Sequence, residues 1–165
     1  MSRITTLNEL YLDELKDLWS ANDQMQKALK KIQSRAQNTR LADLLKRSHD
    51  GIEAHTDLLK RLIETRGDNP KKEHCKGMEG LVAEAIKHSV DEAPESGPVR
   101  DAAIIAQYQR MTHYGITGFG TVAAFARALG YTSDNAELEA AVQDMHVADD
   151  LMTEIAEGAV NVQAV

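Results

Sequence analysis

The stretch that decides the fold runs from Val99 to Tyr131 and reads VRDAAIIAQYQRMTHYGITGFGTVAAFARALGY. Apolar and small residues recur in it at steps of three and four, which is the period of one face of an α-helix. Gly130 follows them and suits the left-handed conformation in which many helices end. The stretch predicts a long third helix over residues 99–129, with a stripe of Ile105, Tyr108, Thr112, Gly115, Phe119, Val122, Ala126 and Leu129.

Three glycines, Gly115, Gly118 and Gly120, lie inside this predicted helix. Each costs about 1 kcal/mol of helix stability relative to alanine. We expect a neighbouring helix to approach closely there, because close packing is the most direct compensation for a missing side chain.

Two long helices are predicted before it, at residues 5–37 and 39–66. Thr6 and Glu9 have the spacing of a capping box at the start of the first. Asn38 or Thr39 can cap the second, and Gly67 can end it. The short connection between these helices predicts an antiparallel pair.

The segment from Lys71 to Pro98 differs in pattern and predicts a crossover with one short helix near residues 78–91. A fourth long helix is predicted near 134–158, with Ser133 or Asp134 as its cap and Glu137 completing a capping box.

Two helical hairpins joined by one long crossover indicate an all-α fold, a ferritin-like antiparallel four-helix bundle. The length of 165 residues fits a single domain over residues 1–165.

Composition excludes several classes of function. The net charge of −7 argues against nucleic acid as a partner. Cys75 is the one cysteine, so an intrachain disulfide is impossible and a reducing compartment is expected. The sequence shows neither a long apolar leader nor a membrane-length apolar run, so a cytoplasmic protein without a membrane partner is expected.

Three segments carry a resemblance to a known family: LYLDELKDLWSANDQMQKALKKI, HCKGMEGLVAEA and the third-helix stretch quoted above. Together they resemble the YciF/YciE-like family of ferritin-like bacterial stress proteins, over roughly residues 5–158. The resemblance implies a stress-response role, a homodimer, no established reaction, and a carboxylate-rich metal site at the bundle centre.

The four long helices each carry a polar residue near mid-length, where the apolar stripe is interrupted. Antiparallel packing brings these midpoints to one height, so we expect a buried polar layer that must find hydrogen-bond partners. Its members are Asn22, His55, Thr112 and Asp149.

This chain departs from the metal site that the resemblance implies. The family's carboxylates fall at positions that here hold other residues, although Asp50 and Asp144 are neighbours of two of them. The substituted positions are Asn22, Gly51, Thr112, Gly115 and Met145.

Only His55 and Asp149 remain as remnants of that site. We expect them to face each other as a hydrogen-bonded pair, with no di-iron centre. The alternative is a remodelled site for a single divalent ion on His55 and Asp149, helped by Asp50, Asp144, His49 or His146. The i, i+4 pairs His49/Glu53 and His146/Asp150 suit surface positions better than ligation.

Two further features point to possible functions. Cys75 is interpreted first as an inert thiol near a helix start; the alternative is that the neighbouring Lys72, His74 and Lys76 lower its pKa. Trp19 and Tyr11 are placed on the outer part of the first helix, where they would mark a dimer face.

The leading hypothesis is a non-catalytic stress-response protein with a degenerate metal centre, without catalytic residues and without a cofactor. One alternative is an iron- or manganese-binding bundle with a remodelled site. The other is a helical scaffold for a protein partner.

Overall fold

A computed structural model describes residues 4–165, and within them the chain is helical and contains no strand. The four long helices are α1 (Leu7–Gln33), α2 (Thr39–Thr65), α4 (Pro98–Ala128) and α5 (Thr132–Ile155). The crossover holds α3 (Lys76–Ile86), which continues into a π-helical turn at Lys87–Asp91. A second π-helical turn, Ala156–Val160, leads from α5 into the short α6 (Asn161–Gln163). The predicted all-α fold is confirmed.

Long-range contacts fix the direction of each helix. Leu18 of α1 lies against Gly118 of α4, and the start of α1 meets the end of α4 where Tyr131 donates to Asn8 Oδ1 at 2.8 Å. Arg61 near the end of α2 pairs with Glu137 near the start of α5. The helices α1 and α4 are therefore antiparallel, as are α2 and α5. Asn38 at the start of α2 contacts Asp101 at the start of α4, so these two helices run in the same direction. The crossover between them must therefore travel the length of the bundle.

The start of α1 is confirmed, but its predicted end is wrong. Thr6 Oγ1 accepts from the Glu9 amide at 3.2 Å, and Glu9 Oε2 accepts from the Thr6 amide at 3.0 Å, which completes the capping box. The helix ends at Gln33 and not at residue 37. The amides of Gln37 and Asn38 instead donate to the buried carboxylate of Asp101, at 2.9 and 2.8 Å.

The caps of α2 follow the sequence, whereas the predicted cap of α5 does not. Asn38 Oδ1 accepts from the Leu41 amide at 3.1 Å, and Gly67 has φ 73° after the last turn. At α5 the helix begins at Thr132, so neither Ser133 nor Asp134 is the cap. Asp134 is buried and binds side chains of two other helices.

Two of the three α4 glycines make the close approach that we expect. A β-carbon on Gly118 would collide with Leu18 of α1, and one on Gly115 would lie 2.9 Å from Met145 Sδ of α5. A β-carbon on Gly120 would meet nothing within 4 Å. The helix runs through all three positions without a break.

The apolar core consists of two clusters, one toward each end of the bundle. One contains Tyr11, Leu15, Leu59 and Phe119, where α1 and α5 begin. The other lies where α1 ends and includes Leu29 and Ile105, together with residues of α3. No helix of the described residues 4–165 is long and apolar enough to cross a membrane.

Candidate functional site

A cavity of about 260 Å³ lies between the two core clusters, at mid-height in the bundle. The helices α1 and α4 form one wall of it, and α2 and α5 form the other. Of the neighbouring pairs among the four long helices, α2 and α5 pack least closely. Most of its lining is apolar, including Leu18, Met25, Ile52, Met111 and Leu151.

Five of the positions at which the family resemblance places a carboxylate line this cavity, whereas Asp149, where the carboxylate is retained, does not. The lining contains Asn22, Gly51, Thr112, Gly115 and Met145. None of these side chains is a carboxylate, and Gly and Met offer no hard oxygen ligand. The residues present therefore do not fit a dinuclear centre, which needs several carboxylates to hold two divalent ions close together.

Two buried polar atoms in the cavity lining have no hydrogen-bond partner. They are the amide nitrogen Nδ2 of Asn22, in a residue that is 7% exposed, and Oγ1 of Thr112, in a residue that is 3% exposed. Asn22 and Thr112 were expected in a buried polar layer, and the structure brings them to this cavity together with His55.

One turn along α4 from Thr112, the Tyr108 hydroxyl is hydrogen-bonded to Ser48 at 2.7 Å. Burial raises the pKa of Tyr108, and the hydroxyls of Ser48 and Thr112 offset part of that rise. Only Ser48 reaches the distance and angle of a hydrogen bond to it. The sequence reasoning missed this pair, although Ser48 interrupts the apolar stripe of α2.

The predicted pair of His55 with Asp149 is wrong. His55 Nε2 lies 3.3 Å from Asp144 Oδ2, and the imidazole packs against Phe119 with 5.7 Å between ring centroids. Asp149 instead accepts from Gln109 Nε2 at 3.1 Å and lies 2.8 Å from His113 Nε2.

The helical repeat explains this exchange of partners. Five residues separate Asp144 from Asp149, which is about 140° around an α-helix. Asp144 lies at the cavity lining, whereas Asp149 faces α4, where Gln109 and His113 lie one turn apart. Asp144 had been proposed only as a helper.

The remaining candidate ligands do not converge. Asp50 has 69% of its side chain exposed and contacts its neighbour His49 at 3.3 Å. The side chain of Asp144 is 74% exposed, at the edge of the cavity. Among residues 4–165, no three His, Cys, Asp or Glu side chains are grouped so that they could hold a metal ion.

Cys75 caps α3 and is buried. Its Sγ accepts from the Met78 amide at 3.4 Å and lies 3.0 Å from the Tyr114 hydroxyl. Burial raises the pKa of the thiol, which contradicts the alternative of a pKa lowered by Lys72, His74 and Lys76. The raised pKa agrees with the expected inert thiol at a helix start.

The proposed dimer face on α1 needs one correction. Tyr11 is fully buried and donates to Asp134 Oδ2 at 2.9 Å, so it does not lie on the outer part of the helix. Trp19 is partly buried, and Lys60 Nζ lies 5.3 Å from its ring centroid. The homodimer stays a prediction.

Comparisons with known proteins agree with the resemblance read from the sequence. Protein YciF of Escherichia coli (strain K12) is 30% identical over 160 residues, which cover 96% of this chain and 95% of that protein. The crystal structure of the E. coli stress protein YciF matches with a TM-score of 0.88 and covers 96% of this chain and 99% of that one.

A second solved structure is YcfI from Rhodopseudomonas palustris, to which a structural role has been assigned provisionally. It is 29% identical, has a TM-score of 0.86, and covers 93% of this chain and 97% of its own. The family described as a domain of unknown function, DUF892, matches residues 6–165. The chain therefore belongs to the DUF892 family.

Proposed function

We propose that this protein is a non-catalytic, ferritin-like stress-response protein in which the metal centre of the bundle has degenerated. The observation that carries the proposal is the cavity at mid-height. Five positions at which the family resemblance places a carboxylate line that cavity, and none of the five holds one; Asp149, the carboxylate that is retained, turns toward Gln109 and His113 of α4 instead.

The electrostatics of a dinuclear site support this reading. Two divalent ions a few ångströms apart repel each other strongly unless carboxylates bridge and neutralise them. Asp144 is the carboxylate at the cavity edge; it is largely exposed and already contacts His55. One such group cannot replace the missing set.

The relatives support a stress-related or structural role in preference to catalysis. YciF is named a stress protein, and YcfI is provisionally assigned a structural role. A homodimer belongs to the same proposal, on the strength of the family resemblance, and a cytoplasmic location goes with the single cysteine, Cys75.

A remodelled site for one ion is the second candidate function, and the contact of His55 with Asp144 favours it. Both side chains would serve as ligands, with the rest supplied by solvent. This differs from the predicted set, because Asp144 replaces Asp149.

Metal analysis separates the two candidates. The protein would be purified without chelator, incubated with Fe(II) or Mn(II), desalted and analysed for metal per chain. We expect much less than one equivalent, in the wild type and in His55→Ala alike. His88→Ala is the matched control, since His88 pairs with Glu84 at 3.0 Å in an exposed position far along the crossover.

Two other metal contents would favour a different function. One equivalent that is lost in His55→Ala and kept in His88→Ala would establish the single-ion site. Two equivalents per chain would overturn the proposed function. Asn22→Glu, Gly51→Glu, Thr112→Glu and Met145→Glu combined should be needed to restore a dinuclear centre.

A further inference from the structure

The central cavity is large for a space inside a close-packed bundle. Its volume of about 260 Å³ exceeds that of an engineered apolar cavity of about 150 Å³ that binds benzene. It therefore has room for one aromatic ring with a small substituent. Apolar side chains from four helices would surround the ring, among them Leu18, Met25, Ile52 and Met111.

The unpartnered atoms of Asn22 and Thr112 give this space a polar spot. Both residues are more than nine-tenths buried, and both line the cavity from the α1 and α4 side. A buried polar atom without a partner costs about 1–3 kcal/mol, and native proteins rarely leave one unsatisfied. A ligand or ordered water is thus expected beside them.

The chemistry of the two atoms selects a class of ligand. The amide nitrogen of Asn22 donates a hydrogen bond, and the oxygen of Thr112 can accept one. A neutral hydroxyl group offers a partner of each kind, because its oxygen accepts and its proton donates. A charged head group does not suit this part of the cavity, since burying an unpaired charge among apolar side chains is costly.

The structure also offers an entrance. Gly51 of α2 and Val147 of α5 line the cavity, and Val147 is 49% exposed. The cavity thus reaches the surface between α2 and α5, where packing is loosest.

We propose that the central cavity binds a small neutral molecule with a compact aromatic body and one hydroxyl group, a simple phenol in chemical class. Asn22 and Thr112 hold the hydroxyl, and the apolar lining holds the ring. The inference rests on the proposed function, because a dinuclear metal centre would occupy the same space.

Two probes of nearly equal shape test the polar spot without any mutation. p-Cresol and toluene differ by one hydroxyl group, and each would be titrated into wild-type protein by calorimetry or ligand-observed NMR. We expect one p-cresol per chain, bound about five- to tenfold more tightly than toluene. This ratio corresponds to the net free energy of about one hydrogen bond. Equal affinities, or no binding of p-cresol at millimolar concentration, would overturn the inference and leave water as the occupant.

Substitutions then assign the hydroxyl to its partners. Thr112→Val and Asn22→Leu should each weaken p-cresol about five- to tenfold and leave toluene nearly unchanged. Thr56→Val is the matched control, because Thr56 is also buried but its hydroxyl donates to the Ile52 carbonyl, outside the cavity. If Thr56→Val weakened p-cresol as much as Thr112→Val, the assignment of the hydroxyl would fail.

A cavity-filling variant tests the location. Gly51 lines the cavity and a β-carbon there meets nothing within 4 Å, so Gly51→Leu is the variant chosen to fill it. It should abolish the binding of both probes. Gly120→Leu is the control, since Gly120 is equally open but does not line the cavity. Binding that persists in Gly51→Leu would place the ligand elsewhere and refute the inference.

The metal content of the same sample separates the two proposals. Metal-free protein that fails to bind p-cresol refutes the ligand and leaves the proposed function intact. Protein that carries two metal ions per chain refutes the proposed function, and the ligand site with it.

Discussion

Two groups of buried polar side chains, one at the end of the bundle and one at its centre, are built in opposite ways. At the end, Asp134 is 3% exposed and accepts three hydrogen bonds, from Tyr11 at 2.9 Å and from Arg66 at 2.9 and 2.6 Å. The Arg66 guanidinium also lies 3.5 Å from the ring centroid of Tyr131. We call Tyr11, Arg66, Tyr131 and Asp134 the end cluster.

At the centre, Asn22 and Thr112 are buried about as deeply and line the cavity, but Asn22 Nδ2 and Thr112 Oγ1 have no hydrogen-bond partner. A fully satisfied polar network fixes the packing of the helices around it. Unsatisfied atoms beside a cavity lower stability and suit a binding site instead. The comparison teaches that the end of the bundle maintains the fold and that its centre is available for function.

The largest effect is expected from breaking the end cluster. Asp134→Ala leaves the Tyr11 hydroxyl and the Arg66 guanidinium without their acceptor. We expect a loss of about 3 kcal/mol in the free energy of unfolding, at the low end for a buried pair because Arg66 keeps some access to water. Urea unfolding measures it.

Glu137→Ala is the matched control for this prediction. Glu137 pairs with Arg61 on the same face of the bundle, but both side chains are more exposed. Its loss should cost under about 1 kcal/mol. Equal effects of the two substitutions would show that the end cluster does not differ from a surface ion pair.

The end cluster should also contribute to the decline of stability at alkaline pH, alongside Tyr108 and Tyr114, whose pKa values burial raises as well. Burial raises the pKa of Tyr11 far above its usual value, and its hydrogen bond to Asp134 adds to the rise. The unfolded chain therefore releases the Tyr11 proton from about pH 10 upward while the folded chain retains it, so stability is full below that pH and falls above it. Tyr11→Phe removes this proton and should flatten the decline between about pH 9 and pH 11, as followed by urea unfolding; an unchanged slope would contradict it.

Much of the fold could be predicted because its signals are local. The Thr6–Glu9 capping box, the Asn38 cap and the left-handed Gly67 each depend on residues within one turn. The period of the apolar stripes predicts where the long helices lie, and the long crossover predicts the directions in which they run.

Partner choice within the site could not be predicted, because it depends on rotation about a helix axis. Asp144 and Asp149 both lie near the middle of α5, and a sequence stripe does not resolve which of them turns toward His55. Asp134 has the spacing of a helix cap, but its carboxylate accepts hydrogen bonds from two residues distant in sequence, Tyr11 and Arg66. Tyr11 was misplaced for the same reason, since its partner is 123 positions away.

The next prediction concerns the close packing of Gly118 in α4 against Leu18 in α1, between the end cluster and the central cavity. Gly118→Ala forces Leu18 to move, and Leu18 packs in the core at the edge of the cavity. Gly120→Ala meets open space and gains helix propensity of about 0.5–1 kcal/mol. With an overpacking cost of about 1–3 kcal/mol at Gly118, we expect the Gly120 variant to be the more stable of the two by about 2 kcal/mol. Equal thermal stability would mean that Leu18 can move freely into the cavity.

The smallest effect is expected for two hydroxyl groups that line the cavity. The Ser48 hydroxyl has a hydrogen-bond partner, whereas the Thr112 hydroxyl has none. Ser48→Ala removes the partner of the buried Tyr108 hydroxyl and should lower the free energy of unfolding by about 1–2 kcal/mol. Thr112→Val removes an oxygen that has no partner and keeps the shape of the side chain, so it should raise stability by up to about 1 kcal/mol in the absence of ligand. Urea unfolding of both variants beside the wild type measures whether each substitution raises or lowers the free energy of unfolding.

A stabilised Thr112→Val that also binds p-cresol less well would show that this hydroxyl is kept at the expense of stability, as a binding group would be. A destabilised Thr112→Val would mean instead that ordered water already satisfies the hydroxyl, and the centre of the bundle would then resemble its end.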